Sequence, residues 1–206
     1  YYTEWCGWCK IMDKQTFQDS VVKDYMQEHF VLLKIDAEKG IGSQLSMKYR
    51  IGAFPSFMFY NSEGKVLKKL MGFQKPKDFM ETMKEVKKLN EENKFYTGIS
   101  NKLDPGFPDF LKNSYLSRDK RPETNYDSVY AYILNNKDFT SEANFSVICR
   151  FPTNKKINEK FLEHKDEFTK LYGPEDVDRK VSTILSSIYQ SYIIFINRYC
   201  LRWFTA

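Results

Sequence analysis

The sequence predicts an α/β domain followed by an all-helical region. Residues 97–108 are rich in Gly, Pro, Asn and Ser, a composition typical of a linker, and beyond them every apolar pattern has helical spacing. We therefore place an α/β domain at 1–94 and a helical accessory domain at 95–206. Before the linker, strand-like apolar runs occur at 30–36, 56–60 and 65–71.

The first half of the α/β domain is expected to contain two helices and a strand. A helix continues from Cys9 to about Lys14, and Asp19 or Ser20 can cap a second one whose apolar residues recur every three or four positions. The nearly continuous apolar run at 30–36 predicts a central strand covered on both faces.

The second half of this domain is expected to form a hairpin with a covering helix. After a short helix at 43–50, strands at 56–60 and 65–71 are joined by the turn Asn61-Ser62-Glu63-Gly64, which predicts an antiparallel pair. From 75 to 93, one apolar stripe runs among lysines and glutamates and predicts a helix over one sheet face.

The helical region has five apolar stripes, and Gly173-Pro174 ends one helix and starts the next. The tail 192–206 is apolar and aromatic, but Arg198 and Arg202 interrupt it and it is too short to span a bilayer. We interpret it as a buried or truncated helix, with an interfacial anchor as the alternative, and expect no transmembrane segment. The five stripes cover 110–115, 126–134, 141–151, 158–172 and 175–195.

Composition narrows the classes of function. The 206 residues carry a formal net charge of +5 and a pI near 8.8, with Lys and Arg interspersed among Asp and Glu, so nucleic acid is not an expected partner. Four cysteines, two of them in one CxxC, do not resemble a disulfide-stapled mini-protein. Because the chain has neither an initiator Met nor a signal peptide, we expect its native address to have been removed or never included.

The segment Trp5-Cys6-Gly7-Trp8-Cys9-Lys10 contains the reactive groups. Two cysteines three residues apart at a helix start can close a small disulfide ring, and the unpaired N–H groups and helix dipole there favour a thiolate on the first sulfur. The alternative is half of a zinc site, but the remaining candidate ligands, two isolated cysteines with His29 and His164, form no second paired motif. We therefore expect thiol–disulfide chemistry without a metal.

This motif, the order of elements after it and the segment Gly52-Ala53-Phe54-Pro55-Ser56-Phe57 together resemble the thioredoxin fold. More narrowly, the chain is similar to thioredoxin-like proteins of bacteria that carry Trp-Cys-Gly-Trp-Cys-Lys and a C-terminal helical extension. The resemblance covers residues 1 to about 93 and implies a thiol:disulfide oxidoreductase of the periplasm or cytoplasm. It further implies disulfide-bearing protein substrates, an upstream thiol reductant and no bound cofactor.

The resemblance also assigns roles to single residues. Cys6 is the nucleophile, Cys9 the buried resolving thiol, and Pro55 the cis-proline that faces the disulfide. The Phe54 backbone would pair with an extended substrate chain. The expected substrate-binding residues are Trp5, Gly7, Trp8, Phe54 and Pro55.

The sequence also predicts the exposure of the two tryptophans in the motif and the state of the two isolated cysteines. We expect Trp8 to be exposed at the substrate surface, whereas Trp5 should lie partly in the core. Cys149 falls on an apolar helical stripe and is expected to act as a small buried hydrophobe. Cys200 lies in the tail, as a free thiol, an intermolecular partner or neither.

Two departures from the family pattern limit what the resemblance implies. Gly7-Trp8 stands where Gly-Pro or a similar dipeptide is usual, so the redox potential stays open, with reduction or isomerisation favoured over oxidation. The leading strand and the usual buried acid would precede Tyr1, so we expect this chain to lack a central strand and to be less stable than a longer form. The alternative function is a binding or scaffold protein whose helical half carries the specific role.

Overall fold

The computed structural model is described here for residues 1–116 and 118–200, without the side chains of 118 and 191–200. The first part of the chain contains four helices and one hairpin. These elements are α1 (Gly7–Gln15), α2 (Ser20–His29), α3 (Ile41–Lys48), β1 (Ser56–Tyr60), β2 (Val66–Met71) and α4 (Pro76–Glu91).

Local sequence signals account for most of these elements. Asp19 caps α2 by accepting a hydrogen bond from the Val22 N–H at 3.0 Å, and Pro76 occupies the first position of α4. In the β1–β2 turn, the Asn61 side chain accepts from the backbone N–H groups of Glu63 and Lys65. The predicted antiparallel hairpin is therefore confirmed.

The predicted central strand at 30–36 was wrong. Only its end is paired, through a single parallel bridge between Tyr2 and Asp36, and Val31 and Leu33 are 94% and 80% exposed. A strand needs a hydrogen-bonded neighbour along its length, and Tyr2 is the only bridging partner of this segment among the described residues. The middle of the apolar run, at Val31, Leu32 and Leu33, therefore lies on the surface.

A first apolar cluster holds α1, α2 and α4 against one face of the hairpin. Met12, Val22 and Met83 are each 1% exposed and lie at its centre. Phe57 and Phe59 of β1 pack against this cluster from the sheet side. This packing fixes α1, and with it the CxxC segment, relative to the hairpin.

Helices alone follow in the described residues after the hairpin domain, with a short 3₁₀ turn at Arg118–Lys120. Their second apolar cluster contains a stack of aromatic rings from Phe145, Phe161, Phe168 and Tyr172. The helices are α5 (Asp109–Asn113), α6 (Tyr126–Asn135), α7 (Glu142–Arg150), α8 (Lys155–Glu163), α9 (Lys165–Tyr172) and α10 (Pro174–Cys200).

The single helix predicted at 158–172 is two helices. The backbone leaves helical geometry at His164, which ends α8 and precedes α9, while Phe161 and Phe168 on either side remain fully buried. The apolar spacing thus continues through a break that the sequence pattern did not indicate. Gly173, with φ 89°, ends α9 and Pro174 starts α10, as predicted.

Buried ion pairs connect the two parts of the chain. Lys48 of α3 contacts Glu142 of α7, with an Nζ to Oε1 distance of 2.5 Å. Asp176 of α10 accepts from Arg50 Nε at 2.9 Å and from Lys69 Nζ at 2.7 Å. The helical region is therefore attached to the hairpin domain through charged groups, and the boundary at 94 stays a prediction.

The prediction for the tail concerns residues 192–206. Their side chains, and the backbone beyond residue 200, lie outside the described part of the chain. The same holds for the side chain of Cys200. Among the described residues, no helix is both long and apolar enough to cross a membrane.

Candidate active site around Cys6 and Cys9

Cys6 and Cys9 form a disulfide at the N-terminus of α1. Cys6 is the N-cap residue, and its Sγ accepts a hydrogen bond from the Cys9 N–H at 3.0 Å. This position directs the Cys6 sulfur at the unpaired N–H groups of the first turn. A negative charge formed on that sulfur after reduction would therefore be stabilised.

Burial does not distinguish the two sulfurs, because Cys6 is 4% and Cys9 5% exposed. The N-cap hydrogen bond does distinguish them, since it reaches the Cys6 sulfur alone. The resemblance assigned Cys6 as the nucleophile and Cys9 as the buried resolving thiol, and this assignment remains a proposal.

Two pairs of aromatic side chains lie at the CxxC motif, and we call Trp5, Trp8, Phe54 and Phe73 the aromatic rim. The Trp5 ring lies 5.7 Å from that of Phe54, and the Trp8 ring lies 5.7 Å from that of Phe73. Trp8 is 59% exposed, as expected. The prediction that Trp5 lies partly in the core was wrong, because it is 66% exposed and its Nε1 donates to the Glu38 carboxylate.

The Phe54–Pro55 peptide bond is cis, in agreement with the resemblance. Pro55 is buried, and its carbonyl accepts from the Gly72 N–H at 2.7 Å. The backbone groups of Phe54 form no hydrogen bond within the described chain. Contact with Trp5 places this loop beside the CxxC motif, with the N–H and C=O of Phe54 unpaired among the described residues.

The first turn of α1 is also open. Gly7 is exposed, and a Cβ at this position would have no atom within 4 Å. A side chain at this position would therefore meet no obstruction. All five expected substrate-binding residues lie in this region, although their role in binding is still a proposal.

Sequence reasoning missed two features of this site. Phe73 completes the aromatic rim, and Thr16, which is fully buried, donates from Oγ1 to the Gln74 carbonyl at 2.5 Å. The Phe73 ring brings the loop after β2 to the face of α1, and the Thr16 hydrogen bond brings the same loop to the C-terminal end of α1. The adjacent Gly72, with φ 85°, indicated a turn in this loop. It did not indicate that the loop contacts the CxxC motif.

Other groups singled out in the sequence lie elsewhere. The His29 ring packs on Tyr25 and the His164 ring on Phe139. The described side chains include no group of three or more His, Cys, Asp or Glu that could hold a metal ion. Cys149 packs against the helical cluster and is only partly buried, and burial raises its pKa to about 12, so its thiol stays protonated.

Comparison with known proteins gives one family and two relatives. Residues 1–87 match the family described as a thioredoxin-like domain. Disulfide bond reductase DsbH of Chlamydia pneumoniae is 28% identical over 81 residues, which cover 35% of this chain and 48% of the relative. Protein disulfide-isomerase 5-2 of Arabidopsis thaliana is 33% identical over 61 residues, which cover 30% of this chain and 13% of the relative.

The chain thus spans about half the length of the first of these relatives and a much smaller share of the second. No solved structure matches it. The family match ends at residue 87, so it does not extend into the helical region.

Proposed function

We propose that this chain, whose first 87 residues form a thioredoxin-like domain, is a thiol–disulfide oxidoreductase that acts on disulfides of other proteins. The observation that carries the proposal is the Cys6–Cys9 disulfide, with the Cys6 sulfur at the N-cap of α1 and exposed Trp5 and Trp8 next to the cysteines in the sequence. The names of the two relatives, a reductase and an isomerase, belong to the same class of chemistry.

The reaction starts from the reduced dithiol. The Cys6 thiolate attacks one sulfur of a substrate disulfide, that S–S bond breaks, and the departing substrate sulfur leaves as a thiolate that takes up a proton. Cys9 then loses its proton and attacks Cys6 Sγ. The mixed disulfide breaks, the second substrate thiol is released, and the Cys6–Cys9 disulfide seen in the structure is formed.

Each turnover moves two electrons from the dithiol to the substrate. A thiol reductant must then reduce the Cys6–Cys9 disulfide before the next turnover. The reaction requires no bound cofactor, since both redox groups are sulfurs of the chain itself.

Substrate binding is assigned to the open surface beside the disulfide. The unpaired N–H and C=O of Phe54 can hydrogen-bond to an extended peptide, while Trp5 and Trp8 offer exposed rings to its side chains. Such contacts suit partly unfolded or flexible segments near a substrate disulfide. They favour protein substrates over small disulfides.

Between the two possible reactions, we propose reduction. Net reduction requires both cysteines, because the resolving step oxidises the pair, whereas isomerisation can proceed with the nucleophile alone. A Cys9→Ser variant that still rearranges a scrambled substrate as fast as the wild type would identify an isomerase. Loss of turnover together with accumulation of mixed disulfides identifies a reductase.

Reduction of insulin by dithiothreitol tests the proposal. The wild-type chain should accelerate it, and both Cys6→Ser and Cys9→Ser should remove the acceleration. Cys149→Ser is the matched control, because this thiol lies in the helical cluster and should leave the rate unchanged. No acceleration by the folded wild-type chain would overturn the proposal and favour a binding or scaffold role.

A further inference from the structure

A cavity of about 390 Å³ lies between the two parts of the chain, away from the disulfide. Its walls come from the loop after α3, the end of α7 and the first turns of α10. This volume falls in the range of sites that hold small organic ligands.

The cavity is strongly cationic. Arg50, Arg150, Arg179 and Lys180 line it, and Asp176 supplies the only carboxylate among the described side chains of the lining. Both Asp176 oxygens are already engaged: Oδ1 accepts from Lys69 at 2.7 Å and from Arg179 at 2.8 Å, and Oδ2 accepts from Arg50 at 2.9 Å. One carboxylate is therefore shared by three cations.

Two of the lining cations have no carboxylate partner among the described side chains. Arg150 donates to the hydroxyl and carbonyl of Ser114 and lies over the Tyr115 ring, 4.3 Å from its centre. Lys180 is 4% exposed and donates from Nζ to the Phe151 carbonyl at 3.1 Å. Burial lowers the pKa of Lys180 to about 8, the sign of a cation in poorly compensated surroundings.

We propose that this cavity binds a small organic phosphate whose oxygens contact Arg150, Arg179 and Lys180. The excess of positive charge in the lining matches a dianionic group better than a single carboxylate. Guanidinium groups also bind phosphate oxygens in pairs. Tyr115, Phe151 and Pro152 supply the apolar surface for the organic part of the ligand.

The ligand is bound rather than transformed here. The Cys149 thiol in the lining stays protonated, because burial raises its pKa to about 12. Asp176 opposes an incoming anion, but its charge is offset by the three cations that contact it. The inference does not depend on the proposed redox function.

Titration calorimetry at low salt tests the proposal with four probes: inorganic phosphate, pyrophosphate, adenosine monophosphate and benzoate. The structure predicts saturable binding of the phosphates, tightest for a ligand with an organic part, and weaker binding of the monocarboxylate benzoate. Equal or tighter binding of benzoate, or no saturable binding of any phosphate, would overturn the proposal.

Thr183 provides a matched pair of variants. It is an exposed lining residue of α10, so a substitution there should leave the fold intact, which circular dichroism checks. Thr183→Glu adds a competing carboxylate to the cavity and should weaken phosphate binding about tenfold or more, whereas the uncharged Thr183→Gln should bind within about twofold of wild type.

Two charge-removing variants complete the test. Arg179→Gln should weaken phosphate binding, because a contacting cation is lost while Arg50 and Lys69 still hold Asp176. Lys170→Gln removes one exposed charge from α9, outside the cavity, and should have no effect. Equal losses in Arg179→Gln and Lys170→Gln would mean that the affinity reflects overall charge, and would overturn the proposal.

Discussion

The disulfide site and the charged junction between the two parts of the chain bury opposite kinds of groups. Around the disulfide, two neutral sulfurs are covered while large aromatic rings are exposed. At the junction, Arg50, Lys69 and Asp176 are each at most 3% exposed, and aromatic rings lie beneath the Arg50 guanidinium. The buried sulfurs at the first site are neutral as long as they form the disulfide, whereas the second site buries charged groups held in ion pairs.

This difference separates the roles of the two regions. A thiol at a helix N-terminus can become a thiolate because the backbone N–H groups already face it. Buried ion pairs gain little net stability relative to apolar packing, but removing one partner is costly because the other charge is left buried. Substitutions at the disulfide site should therefore remove activity but leave the fold stable. Substitutions at the junction should lower the free energy of unfolding with little direct effect on the thiol chemistry.

The largest expected effect is on activity, in Cys6→Ser. This variant should reduce insulin no faster than dithiothreitol alone, since the attacking sulfur is lost. Its urea midpoint should match that of the reduced wild-type chain, because serine occupies the same N-cap position and serves well as a cap. A large fall in the urea midpoint would show that the disulfide site also contributes to the stability of the fold, contrary to the division of roles proposed above.

The largest expected effect on stability is in Asp176→Asn. Loss of this carboxylate leaves Arg50 and Lys69 buried without a counter-charge, which should lower the free energy of unfolding by about 3–5 kcal/mol. Urea unfolding measures the change, with Glu163→Gln on the exposed side of α8 as the control. A change below about 1 kcal/mol would contradict the role given to this carboxylate.

A smaller effect depends on pH and concerns Lys180. The pKa of Lys180 falls from 10.5 to about 8 in the folded state. Between about pH 8 and pH 10.5 the Lys180 amine is therefore neutral in the folded protein but still protonated in the unfolded chain. The free energy of unfolding should therefore rise with pH across this window. Relative to Lys180→Met, the wild type should gain about 1–2 kcal/mol between about pH 7 and pH 9.5.

Urea unfolding of both proteins at the two pH values measures this gain. Contributions of Lys69 and of the tyrosines are common to both chains and cancel in the difference. A constant difference would contradict the account of Lys180 as an uncompensated buried cation.

The smallest expected effect is at the aromatic rim. Trp8→Ala removes an exposed ring that packs on Phe73 and should raise KM for insulin about threefold to tenfold, with little change in kcat. The KM for a small disulfide such as oxidised glutathione should not change. An equal loss for both substrates would mean that Trp8 supports the motif rather than the protein substrate.

Local signals in the sequence were sufficient for the hairpin and for most of the helices, but not for the break at His164 between α8 and α9. The cap at Asp19, the turn at Asn61 and the Gly173-Pro174 break each depend on residues within a few positions. The strand predicted at 30–36 was wrong because a strand needs a hydrogen-bonded neighbouring strand, and the apolar pattern of these residues does not specify one. The pairing of the motif with Pro55 could be expected only from the family resemblance.

The charged junction could not be predicted from the sequence. Arg50 and Asp176 are 126 residues apart, and each stands among other charged residues that remain in water. No periodic pattern distinguishes a buried pair from a solvated one before the chain is folded. Trp5 was misjudged for a similar reason, because its position depends on a hydrogen bond to Glu38, 33 residues away in the sequence.

The central claim is that the Cys6 sulfur is ionised near neutral pH. The most direct test is the rate at which iodoacetamide alkylates Cys6 in the Cys9→Ser variant, followed across pH by mass spectrometry of the Cys6 peptide. The position of Cys6 at the N-cap of α1 predicts a thiol pKa clearly below the value of about 8.5 of a free cysteine. A pKa at or above that value, with slow alkylation at neutral pH, would contradict it.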